Sequence, residues 1–151
     1  MPATDTAPGP DLTRRSTFAC WTRDSIRYRD LDPNFHVNNG AVNEYFEDGR
    51  VRFRAERMSH LSQTLLAGFA LVKYSAHYRA QIRFPGDVDI GTVVLKVGNS
   101  SYVLGQGIFV DETCVATAEV VTVYIDHATG RSTPLPAEIR AILEASGPPA
   151  G

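Results

Sequence analysis

Cysteine is scarce in this chain: two residues, Cys20 and Cys114, separated by most of its length. That excludes a disulfide-stapled scaffold and half of a cysteine metal centre, and leaves both thiols as small buried hydrophobes. Four histidines are present, but His60, His77 and His127 are scattered without metal-ligand spacing, so neither a metal nor any other cofactor is expected. A formal net charge of −2 lacks the basic surplus that nucleic acid or an anionic membrane would require. No apolar run approaches the ~20 residues of a membrane span, and no secretory signal opens the chain. The expectation is a cytoplasmic protein.

What is present is an ordinary globular composition. With 151 residues, 43% of them hydrophobic, the chain can bury one real core but hardly two. Residues 1–15 are dominated by Pro, Thr, Ala and Asp and read as a disordered arm. Residues 146–151 read as a flexible tail, which leaves one domain over 16–145.

Within that domain the hydrophobic period changes along the chain. Ser16 to Arg29 reads as a strand, with Ile26 and Tyr28 alternating against Arg27 and Arg29. Pro33 and Asn34 then mark a turn. From Asn39 the period becomes helical: Val42, Tyr45, Phe46, Gly49 and Phe53 form one stripe, predicting a helix of about five turns ending near Met58. Asn38 or Asn39 supplies the N-cap. Val72 to Ile82 alternates strictly, with Val72, Tyr74, Ala76, Tyr78, Ala80 and Ile82 on one face. Three further strands follow, joined mostly by short turns, and Pro136 to Ala145 forms a short closing helix. Short turns predict an antiparallel meander, and a five-turn apolar stripe needs a sheet to cover it. The class is therefore α+β, with enough apolar surface left over to expect a second subunit.

The chemistry centres on the stretch "YRDLDPNFHVNN", Tyr28 to Asn39. A helix N-terminus presents unpaired N–H donors and a partial positive charge, a ready site for an oxyanion. An Asp a few residues earlier can reach the same space, either orienting water as a base or attacking directly. Asp30 is expected to pair with Arg27 or Arg29, or to cap the loop. His36 can equally contact a substrate or make a structural hydrogen bond. Glu47, further along the helix, is expected to pair with Arg50 or a neighbouring strand, and stands as the alternative carboxylate.

"YRDLDPNFHVNN", together with "YFEDGR" in the helix, "VGNSSYVLGQGIF", "VVTVYIDHATGR" and "PLPAEIR", resembles the hot-dog-fold acyl-CoA thioesterases of the 4-hydroxybenzoyl-CoA thioesterase-like group. The resemblance runs from about Ser16 to Leu143. It implies a curved antiparallel five-stranded sheet wrapped around one long helix, and a homodimer or dimer of dimers with sites at the subunit interface. It also implies acyl-CoA as substrate, Asp32 as the catalytic carboxylate and the backbone N–H of Asn39 as the group polarising the thioester carbonyl. His36, Val37, Asn38 and Tyr78 would contact the substrate, and Asn99 and Ser101 would meet the CoA phosphates unless they simply form a hairpin turn. Phe35 departs from the pattern, standing where many relatives have Gly. Two other readings compete. A hot-dog enoyl-CoA hydratase would also use an Asp and a His, but its signature spaces them differently from Asp32 and His36. A non-catalytic acyl-thioester-binding module would use the same pocket.

Overall fold

The computed structural model describes residues 9–150. Its elements, in chain order, are β1 (Cys20–Ser25), α1 (Asn39–Met58), α2 (Gln63–Leu66), β2 (Phe69–Tyr78), β3 (Asp87–Val97), β4 (Ser101–Val110), β5 (Thr113–Asp126), β6 (Arg131–Ser132) and α3 (Ala137–Glu144). All strand pairs are antiparallel, and the main sheet runs β1-β3-β4-β5-β2, with β6 added beyond this path onto β5. The five long strands and the helix are those the sequence predicts. The two-residue β6 and the one-turn α2 are additions, too short to leave a periodic signal.

Helix α1 carries its apolar stripe as expected. Ala41, Val42, Tyr45, Phe46, Gly49, Phe53 and Met58 are all buried. They pack against inward residues of the sheet such as Val88, Ile90, Ile108, Ala118 and Val120, and α3 closes the far end with Ile139 and Leu143. Gly49 sets the closest approach of helix to sheet. A Cβ there would lie 2.6 Å from Ile90 Cγ2 and 2.9 Å from Gln106 Nε2. The Gln106 amide fills that gap and is itself satisfied by Phe46 O at 3.0 Å and Thr92 Oγ1 at 3.2 Å.

Three expectations change. The first strand is shorter than predicted, because Arg15–Thr17 and Tyr28–Asp30 form single 3-10 turns at its two ends. Strand β2 does not alternate strictly: its register shifts between Leu71 and Lys73, and as a terminal strand it leaves Val72 58% exposed. Residues 9–15, the described part of the expected disordered arm, pack with the following turn onto the outer face of the sheet. Leu12 and Phe18 join Val93 and Phe109 there, and the Arg15 guanidinium bonds to Asp89 Oδ2 at 2.9 Å and to the Asp111 carbonyl. Gly91, Gly105 and Gly107 make the room, since a Cβ at any of them would collide with Phe18 or Leu12. Residues 1–8 of the arm and Gly151 of the tail lie outside the described residues. Ser146, at the start of that tail, is buried, and its carbonyl accepts from the Val94 N–H at 2.9 Å.

Candidate active site

The turn between β1 and α1 is a small hairpin. Leu31 bridges Val37, the Asp32 N–H donates to His36 O at 2.8 Å, and the Phe35 N–H donates to Asp32 O at 3.0 Å. Three residues therefore span the tip, and the third, Phe35, has φ 63°. A tight turn followed by one left-handed residue is a common three-residue hairpin loop, and glycine suits its last position because it lacks a Cβ. Phe35 adopts the conformation that Gly favours, which agrees with the Gly that the resemblance puts at this position.

Asp32 closes the hairpin from its first position. Its Oδ1 accepts the N–H of Asn34 at 2.8 Å and of His36 at 3.2 Å, while Oδ2 accepts no hydrogen bond among the described residues. One oxygen therefore fixes the carboxylate and the other is unengaged. His36 acts in this hairpin through its backbone, and it also bridges Arg83 on the segment leading to β3.

Asp30 has a different task. It is buried, and its carboxylate accepts from Tyr45 Oη at 2.6 Å, from the Arg27 N–H at 2.9 Å and from Arg27 Nη2 at 3.3 Å. Burial alone would raise its pKa, but these hydrogen bonds from Tyr45 and Arg27 outweigh it and hold the carboxyl below the usual value. The Asp30 carbonyl accepts both the backbone N–H and the side-chain amide of Asn38, each at 2.9 Å. Asn38 in turn caps α1, its Oδ1 accepting the Ala41 N–H at 2.7 Å. The cap is thus Asn38, which leaves Asn39 as the first helical residue.

That capping satisfies Ala41, and the Val42 N–H reaches Asn38 O at 3.2 Å. The N–H groups of Asn39 and Gly40 donate to nothing among the described residues. Two bare donors thus stand at the positive end of a 20-residue helix, which is what an oxyanion needs. Beside Asn39 is a cleft of about 220 Å³ whose lining includes Val37, Asn39, Val42, Tyr78, Ile82 and Ala116, while Gly40 borders a separate recess with Asn38, Asp30 and Glu44. Tyr78 Oη donates to Asn43 Oδ1 at 2.9 Å, one helical turn beyond Asn39.

The structure therefore gathers Val37, Asn39 and Tyr78 in one cleft. Asp32 and His36 lie in the hairpin that leads into α1 and line no wall of that cleft, and Asn38 borders the neighbouring recess. Three predicted residues lie elsewhere. Glu47 is two helical turns along α1, borders a second pocket, and makes no ion pair among the described residues. Asn99 and Ser101 form the β3–β4 turn, closed by Gly98 N–H to Ser101 O at 2.7 Å, and Asn99 O accepts from the Leu135 N–H and Arg140 Nη2. Ser101 pairs with Val123 on β5, seven residues from Ala116 of the cleft, roughly 23 Å along a strand. Tyr45 and Phe46, on the apolar stripe of α1, are core residues that face the sheet rather than the cleft. Asn43 was not singled out. Only the tertiary fold brings the hydroxyls of Tyr74 and Tyr78 onto its one amide oxygen.

No helix is long and apolar enough to cross a membrane among the described residues. No curated protein matches the chain in sequence. Among solved structures it is similar to the PA5185 protein of Pseudomonas aeruginosa, at 26% identity and TM-score 0.78, covering 95% of this chain and 100% of that one. A thioesterase from Thermus thermophilus, complexed with coenzyme A and zinc, is 29% identical at TM-score 0.76, covering 85% and 94% of the two chains. YbaW, a probable thioesterase of Escherichia coli, is 26% identical at TM-score 0.73, covering 84% and 98%. The model of the thioesterase-like superfamily matches residues 26–143, from the end of the first strand to the closing helix. The chain belongs to the thioesterase-like superfamily, as a hot-dog-fold enzyme of the thioester-hydrolase class.

Proposed function

We propose that the protein hydrolyses acyl-CoA thioesters at the α1 N-terminus, with Asp32 as the reacting carboxylate. The observation that carries this reading is the pairing of two unpartnered N–H groups, on Asn39 and Gly40, with an aspartate held by one oxygen only. The thioester carbonyl accepts from the Asn39 N–H. Water attacks the carbonyl carbon while the free Oδ2 of Asp32 takes its proton, and the oxyanion forms against the helix end. Collapse breaks the C–S bond, and the CoA sulfur leaves with the proton. The products are the free acid and CoA. The same carboxylate could instead attack the carbonyl carbon itself, expelling the CoA thiolate to give an anhydride; water then cleaves the anhydride and supplies the proton that the thiolate takes up.

A homodimer formed through β2 supports the site. This strand ends the sheet with one side unpaired, and Leu71 and Val72 are exposed on it. Such an edge invites pairing with a second copy. Antiparallel pairing about a two-fold axis sets the Tyr78 end of one β2 against the Phe69 end of the other. Asn99 and Ser101 of the partner subunit then come to the same end of the joined sheet as Asn39, which would let them meet CoA.

Thiol release measured over a panel of acyl-CoA esters tests the reaction, together with Asp32→Asn. That variant keeps the size and most of the turn chemistry, so kcat should fall by roughly 100-fold or more with KM little changed. An inactive Glu47→Gln beside an active Asp32→Asn would move the chemistry onto the helix. Measurable acyl-CoA binding without any turnover would make the protein a binding module.

A further inference from the structure

A second pocket, of about 250 Å³, opens between α1 and the sheet at the Phe69 end of β2. Two guanidinium groups border it, on Arg50 and Arg54, and neither forms an ion pair among the described residues. Each lies over an aromatic ring: Arg50 is 5.5 Å from the Tyr74 centroid and Arg54 is 5.4 Å from that of Phe69. Arg50 gives one hydrogen bond, from Nη1 to Gln106 Oε1 at 3.1 Å, and that amide is locked by Phe46 and Thr92. Burial works against the Arg50 charge. Thr122 and Tyr102 also border the pocket, while Leu71 and Leu104 make its walls apolar. Glu47 borders the same pocket and supports the Arg50 charge, but it forms no ion pair with either arginine among the described residues. Two stacked, half-buried guanidinium groups to one unpaired carboxylate leave the pocket net positive, and arginine forks are suited to planar anions.

We infer that this pocket binds the carboxylate of an acyl group, so that the protein prefers thioesters whose acyl chain ends in a second carboxyl. The inference rests on the thioesterase reading and on the β2-paired dimer. Within one protomer the seam between α1 and β2 is closed by Asn43, whose Oδ1 accepts from Tyr74 Oη at 2.7 Å and Tyr78 Oη at 2.9 Å. Across the dimer the way is shorter, because antiparallel pairing sets the Phe69 end of one strand beside the Tyr78 end of the other. A thioester held at one helix start therefore sends its acyl end toward the other subunit's arginine pair. A CoA phosphate is the other small anion at hand, and the test separates the two.

The experiment compares kcat/KM for succinyl-, adipoyl- and suberoyl-CoA with that for butyryl-, hexanoyl- and octanoyl-CoA. At one chain length or more the carboxylated ester should be favoured at least tenfold, and masking its free carboxyl as the methyl ester should abolish the advantage. Arg54→Met should lower the ratio at least tenfold, while Arg54→Lys, which keeps the charge without the fork, should lower it less. Calorimetry with free adipate and suberate reads the pocket without turnover. Binding to the unmutated protein that weakens in Arg54→Met supports the inference even if no ester is cleaved, in which case it is the thioesterase reading that fails. Equal rates on carboxylated and plain esters would overturn the inference and leave the thioesterase reading intact. So would dicarboxylate binding that is absent, or that CoA alone competes away through its phosphates.

Discussion

The Tyr45 hydroxyl donates a 2.6 Å hydrogen bond to the Asp30 carboxylate, fastening the loop that carries Asp32 to the second turn of α1. Asp30 is held below the usual carboxylate pKa despite its burial, so its contribution to stability is present above the unfolded value and lost as pH falls through the folded one. Tyr45→Phe removes a donor from a buried charge and should cost about 1–3 kcal/mol. It should also move acid unfolding to higher pH, which circular dichroism between neutral and acidic pH would read. An unchanged acid midpoint would show that the Arg27 contacts suffice.

At the helix start, proline separates the donor from the cap. Asn39 is the first helical residue, where proline is accommodated, and Asn38 at φ −73°, ψ 157° already has the conformation a residue before proline takes. Asn39→Pro should therefore fold while deleting one N–H, and turnover should fall by roughly 100-fold or more. Asn38→Ala should instead cost about 1 kcal/mol of stability. The two variants should diverge, the first in kcat and the second in melting temperature; equal losses of turnover would count against backbone catalysis.

Asp24 on β1 and Asp48 on α1 form a carboxyl pair away from the cleft. Burial first, and then the adjacent Asp48 carboxyl, raise Asp24 to about 7, with Arg52 and Arg27 opposing. Arg52 binds Asp48 at 3.2 Å, and Glu44, Tyr45 and Arg27 border the same recess. A pKa raised on folding contributes stability that is complete below the unfolded value of 3.8 and is lost as pH rises through about 7. The melting temperature should fall from pH 6 to pH 8, and Asp24→Asn should flatten that slope. A slope that survives the substitution would assign the pH dependence to other groups.

Phe35 is 69% exposed and has φ 63°, so its ring contributes little packing to offset a left-handed backbone. Gly there removes a strain of about 1–2 kcal/mol and adds roughly 0.5–1 kcal/mol of unfolded-chain entropy. Phe35→Gly should leave stability level or slightly raised, whereas Phe35→Val, β-branched at the same φ, should lower it. Thermal melts of the two variants decide it, and a clear loss with Gly would mean that the Phe35 ring is held by contacts elsewhere.

The sequence by itself determined the parts of this protein that a single element encodes. A stripe from Val42 to Phe53 at helical spacing made α1, because burying that face is most of what stabilises a helix. Short turns made the antiparallel meander, and the spacing from Asp32 to Asn39 put a carboxylate just ahead of a helix end. Other features depend on residues far apart in the chain, and the tertiary structure alone decided them. Whether Asn38 or Asn39 caps α1 turned on the Asp30 carbonyl, which takes both donors of Asn38. Val72 does not keep to one face with Tyr74 and Ala76, because β2 is an edge with a register shift at that point. Leu12 gained a partly buried place because Gly91, Gly105 and Gly107, from two different strands, left room for it and Phe18. Periodicity records which face of an element is apolar, but not which element will meet it. Only the assembled sheet fixes that, since each such contact joins segments that share no local pattern.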